Sequence, residues 1–132
     1  MATYTVATPK GGVGKSTTAA ELVLALSQHG RRVLAIDLDQ QGNFTNRLGL
    51  TASSEVDGTT ADVLAGELEL DQAATASPVL DGVDVLAGTH ALADTELYIY
   101  SYRTPARFDW EAVDILKAIG CYEYQACEAP GW

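Results

Sequence analysis

The sequence predicts an α/β fold built on a parallel sheet, and three local patterns point to it. Tyr4 to Ala7 is a short β-prone stretch, followed at once by the glycine-rich turn Pro9 to Gly14. Ser16 to Gln28 then places Ala19, Leu22, Val23 and Leu26 at i, i+3, i+4 and i+7, one apolar stripe of a helix. Val33-Leu34-Ala35-Ile36 is an apolar run without alternation, as suits a strand covered on both faces. Strand, loop, helix and strand make a βαβ unit, whose crossover is right-handed.

Taken in order, the helix has Gly30 just beyond its end, where a left-handed cap is common. The second strand ends in Asp37-Leu38-Asp39. Thr51 to Thr60 is polar and loop-like, and Thr60 is placed to cap a short helix containing Val63 and Leu64. Val83 to Leu86 reads as a strand. Tyr98, Tyr100 and Tyr102 alternate, which favours a strand on periodicity alone and leaves a helix open there, and Asp109 is placed to cap a helix carrying Ala112, Ile115, Leu116 and Ile119. No repeat or low-complexity tract divides the chain, and 132 residues suffice for one domain.

Composition narrows the partners. Eight Lys and Arg against 18 Asp and Glu give a formal net charge of -10, which repels nucleic acid at long range. Arg31, Arg32, Arg103 and Arg107 read as solvated surface. Cys121 and Cys127 match no metal or redox spacing. No apolar run reaches membrane-spanning length and no signal segment is evident, so a cytoplasmic location with no membrane partner is expected.

Lys10-Gly11-Gly12-Val13-Gly14-Lys15-Ser16-Thr17 carries the chemistry. Glycines let backbone N–H groups turn inward onto phosphate oxygens, and the following helix presents its N-terminal N–H groups to the same anion. Lys15 supplies a compact charge for the terminal phosphates. Ser16 supplies a hydroxyl for the Mg ion that phosphates bring, and Thr17 reaches the α-phosphate. A strand before the loop and a helix after it are the required context, and both are read independently. At the end of the second strand, Asp37 and Asp39 face the ligand crevice of a parallel sheet, where carboxylates hold Mg or orient water. The same residues also serve as turn formers or helix caps.

With Pro9 at the first glycine position and a second lysine at Lys10, KGGVGKST resembles the deviant Walker A loop of the ParA/MinD/NifH group. Asp37-Leu38-Asp39-Gln40-Gln41-Gly42-Asn43 is similar to the DLDPQGN switch I segment of ParA/Soj partition ATPases, with Gln40 in place of proline. Thr60 to Gly66, Val83 to Thr89 and Leu92 to Leu97 continue the likeness, as does Tyr122 to Pro130, which resembles the strand and switch II. There Glu128 stands for the family's aspartate.

The resemblance implies a P-loop NTPase-like three-layer domain with a mostly parallel sheet. It implies a single, incomplete domain over 1–132, truncated after the switch II strand. It implies ATP and Mg2+ as cofactors and ATP hydrolysis in plasmid or chromosome partitioning. An inactive nucleotide-binding module related to a full-length protein is the alternative. Lys10 would act across an ATP-dependent homodimer, and Lys15 and Asp39 would act in catalysis. Ser16, Asp37, Asp39 and Glu128 would serve the metal. A ParB-like partner is implied, as is nonspecific DNA binding, although the region that usually carries the latter is missing.

Overall fold

In the computed structural model, residues 3–6, 11–51, 56–94 and 123–127 are described, with Thr3 and 123–127 described by backbone only. Five strands form one sheet: β1 (Thr3–Val6), β2 (Val33–Asp37), β3 (Thr75–Ala76), β4 (Val83–Leu86) and β5 (Glu123–Cys127). Their spatial order is β1-β5-β2-β4-β3. Strands β1, β5, β2 and β4 run parallel, and only β3 pairs antiparallel, at the edge beside β4. The expected mostly parallel sheet is therefore present, and the two strands of the βαβ unit are separated by β5.

Helix α1 (Lys15–Gln28) joins β1 to β2. It ends as its sequence predicts. Gly30 has φ +69°, its N–H donates to Ser27 O, and the Arg31 N–H donates to Leu26 O at 3.0 Å. That pair of bonds is the Schellman arrangement, which satisfies carbonyls the helix leaves open. Between β2 and β4 lie three short helices: α2 (Asn43–Arg47), α3 (Thr60–Leu64) and α4 (Leu70–Ala73).

Every residue of β2 is buried, and its alternation distributes side chains to two cores. Val33 and Ala35 join Val83 and Val85 beneath Ala19, Val23, Phe44 and Leu48, the α1/α2 layer. Leu34 and Ile36 join Leu86 beneath Val63, Leu70 and Ala73, the α3/α4 layer. A sheet covered on both faces gives the three-layer architecture, and burial on both faces explains the unbroken apolar run. Of the α1 stripe, Ala19 and Val23 are fully enclosed while Leu26 packs at the margin.

One cap differs from expectation. Thr59, not Thr60, caps α3: its hydroxyl accepts from the Asp62 N–H at 3.2 Å and the Asp62 carboxylate accepts from the Thr59 N–H at 2.8 Å. Thr60 is instead the first helical residue and fully buried, and its hydroxyl donates to Asp37 O at 2.8 Å. The alternating tyrosines and the helix expected after Asp109 lie outside the described residues.

Candidate phosphate-binding site

Because β1, β2 and β4 are parallel, the segments that follow them emerge along one edge of the sheet. This is the edge at which open α/β sheets bind ligands. Gly12 (φ +72°) and Gly14 (φ +88°) hold left-handed conformations in the loop that leads into α1. A side chain at either position would be strained. A Cβ at Gly11, Gly12 or Gly14 would meet nothing within 4 Å, so the inner face of the loop opens onto a cleft. That cleft, about 810 Å³, is lined by Gly11, Gly12, Gly14, Lys15, Ser16 and Thr17 on one wall. Asp39, Gln40, Gln41, Asn43, Asn46 and Arg47 form the other.

Lys15 Nζ stands 3.9 Å from Asp39 Oδ2, with the two side chains only 10% and 15% exposed. The P-loop lysine and the switch carboxylate thus face each other across the cleft. Asp39 is held by its own turn: its Oδ1 accepts from the Gln41 N–H at 2.9 Å and its carbonyl accepts from the Gly42 N–H at 3.0 Å. The residues fit a magnesium-bound polyphosphate on their own chemistry. Loop glycines, a lysine, a helix N-terminus, a serine hydroxyl and one carboxylate line one open cleft.

Asp37 has a different place. It is fully buried and does not line the cleft. Its Oδ1 accepts from the Asp39 N–H at 3.0 Å. Its Oδ2 accepts from the Thr45 N–H at 2.9 Å and the Thr45 hydroxyl at 2.7 Å. Thr45 Oγ1 in turn accepts from the Gly88 N–H at 3.0 Å. Burial pushes the Asp37 carboxyl above its ordinary value, against the opposing effect of these donors. Asp37 therefore ties switch I, α2 and the segment after β4 together from behind the site.

Of the remaining sequence expectations, Ser16 and Thr17 line the cleft. Val13 turns its side chain outward and is 52% exposed. Lys10 and Glu128 lie outside the described residues. Sequence reasoning missed Gln40, Gln41, Asn43, Asn46 and Arg47. The last three recur at i, i+3 and i+4, a spacing that would have placed them on one helical face. Among the described residues, no helix is long and apolar enough to cross a membrane.

A sheet covered on both faces, with a glycine loop after the first strand and a carboxylate turn at the neighbouring crevice, defines a P-loop NTPase-like fold. The chain belongs to the AAA domain family, whose model matches residues 1–119, and within it to the ParA/MinD superfamily. It is 36% identical over 125 residues to the chromosome partitioning protein ParA of Caulobacter vibrioides, covering 95% of this chain and 46% of that protein. It is 38% identical over 88 residues to the sporulation initiation inhibitor protein Soj of Bacillus subtilis, covering 67% of this chain and 34% of that one. Among solved structures, it resembles the cobyrinic acid a,c-diamide synthase of Mycobacterium smegmatis with bound ATP analog and magnesium. The TM-score is 0.80 at 30% identity, with 98% of this chain and 51% of the synthase covered. The chain thus spans about half the length of the proteins it matches, or less.

Proposed function

We propose that this chain binds Mg-ATP in the cleft between the glycine loop and switch I and serves ParA-type ATP hydrolysis in plasmid or chromosome partitioning. The observation that carries the reading is the opposition of Lys15 and Asp39 at 3.9 Å across that cleft. A cation for the phosphates and a carboxylate for water or metal face the same space. The synthase shares the fold but carries another chemistry, as P-loop folds do. The chromosome partitioning relative favours partitioning, because that likeness runs over 95% of the chain.

In this reading the loop N–H groups and Lys15 hold the phosphates, and Thr17 meets the α-phosphate. Ser16 holds the magnesium, with Asp39 directed at the same region and Glu128 supplying a further carboxylate. When bound, magnesium neutralises phosphate charge. Asp39 orients the attacking water from a turn that Asp37 fixes through the Asp39 N–H. Lys10 reaches the partner's phosphates in an ATP-dependent homodimer. A ParB-like protein is the proposed regulator, and nonspecific DNA binding is the property expected of the whole assembly.

Steady-state ATP hydrolysis tests this. Turnover should require Mg2+ and disappear in Lys15→Ala and Asp39→Ala. Turnover no greater than that of Lys15→Ala would defeat the hydrolytic reading. If such a chain still bound ATP, the alternative of a non-catalytic nucleotide-binding module would be left.

A further inference from the structure

Arg47 occupies a position that neither the glycine loop nor the switch carboxylates account for. Helix α2 has two faces. Phe44 and Thr45 on one, continued by Leu48, are buried. Asn43, Asn46 and Arg47 on the other line the cleft opposite Lys15, Ser16 and Thr17. The rotation of α2 is fixed twice, by Phe44 in the core and by the Thr45 N–H and hydroxyl on Asp37. Turning Arg47 out of the cleft wall would break both.

The cleft-facing surface of this helix carries two neutral amides and one cation. No carboxylate among the described residues pairs with Arg47 within salt-bridge distance, whereas Lys15 faces Asp39. Lys15, Arg31, Arg32 and Arg47 are the cations among the described residues. Arg31 and Arg32 precede β2, at the opposite end of that strand from the cleft. Among the described residues, the two remaining cations, Lys15 and Arg47, both line one cleft.

We propose that Arg47 is a second phosphate-binding cation, contacting the terminal phosphate of the nucleotide from the switch I wall within the same protomer. A guanidinium presents a planar fork of donors that matches phosphate oxygens, and its charge is permanent. The Asn43 and Asn46 amides add neutral donors on the same face. This deepens the Mg-ATP reading and rests on it. It adds a ligand contact from α2 to those from the glycine loop.

The experiment is a titration of the full chain with Mg-ATP and with Mg-ADP, comparing wild type, Arg47→Gln, Arg47→Lys and Lys15→Ala. Arg47 is exposed, so its variants should keep the wild-type melting transition, which is measured alongside. Arg47→Gln should weaken ATP binding about tenfold, as expected for a lost charge-assisted hydrogen bond, and ADP binding by much less. Arg47→Lys should recover part of the ATP loss. ATP affinity unchanged in Arg47→Gln, or ATP and ADP weakened equally, would overturn the assignment while leaving the nucleotide site intact. Wild type and Lys15→Ala alike in failing to bind would instead overturn the nucleotide reading itself, and the Arg47 assignment with it.

Discussion

Removing the hydroxyl of Thr45 while keeping its shape tests the framework behind the site. Thr45 is fully buried, and Thr45→Val exchanges its hydroxyl for a methyl of similar size, so the change acts through lost hydrogen bonds rather than a cavity. Two bonds disappear. The first is the 2.7 Å donation to Asp37 Oδ2, a hydrogen bond to a carboxylate and so about 1.5–3 kcal/mol. The second leaves the Gly88 N–H without its acceptor at 3.0 Å, a buried orphan costing about 1–3 kcal/mol. Together the substitution should destabilise the fold by about 3–5 kcal/mol, a large part of the roughly 5–15 kcal/mol that a domain has. Thr45→Ser keeps both bonds and gives up one buried methyl, about 1 kcal/mol. Urea unfolding followed by circular dichroism measures both. A Thr45→Val protein within about 1 kcal/mol of wild type, or no more destabilised than Thr45→Ser, would refute the reasoning.

Three further outcomes follow from the same geometry. Gly88→Ala would place its Cβ 2.6 Å from Asp39 O and 2.7 Å from Asp37 Cγ, so it should lose about 1–3 kcal/mol or more in urea unfolding. Because burial raises the Asp37 carboxyl, the folded state holds that proton more tightly than the unfolded state. The stability this contributes is complete below the ordinary value of 3.8 and lost as pH rises through the raised one. Unfolding measured across that window should show wild-type stability falling relative to Asp37→Asn, and wild-type stability rising relative to that variant would mean the hydrogen bonds outweigh burial. Thr59→Ala removes the hydroxyl of the capping box on α3 and should cost about 1 kcal/mol, read as a lower unfolding midpoint.

What could be read from the sequence was what is written in consecutive residues. The loop from Lys10 to Thr17 announces a phosphate site because its glycines, lysine and hydroxyls must be neighbours along the chain. The run Val33 to Ile36 announces a strand covered on both faces for the same reason. The turn that Asp37 makes with the Asp39 N–H was legible in their spacing, but its ties to Thr45 and, beyond it, Gly88 were not, since these meet it only through the fold. Helix α2 was missed because five residues, including two Asn and one Thr, carry no helical preference. It starts after Gly42 at φ +65° with no side-chain cap, and the burial of Phe44 and Thr45 holds it in place. The cap of α3 was legible and misplaced by one residue. Thr59-Thr60-Ala61-Asp62 has the hydroxyl-to-acid spacing of a capping box, whereas Thr60 lies inside the helix. Strand β3, two residues long, leaves no periodic signal.

Calorimetric titration of the purified chain with ATP in the presence of Mg2+, with Lys15→Ala in parallel, tests the central claim most directly. Saturable binding that is lost in Lys15→Ala while the melting transition is kept is the expected result. Equal binding by the two proteins, or none by a wild-type chain that melts cooperatively, would contradict the assignment of the cleft as a nucleotide site.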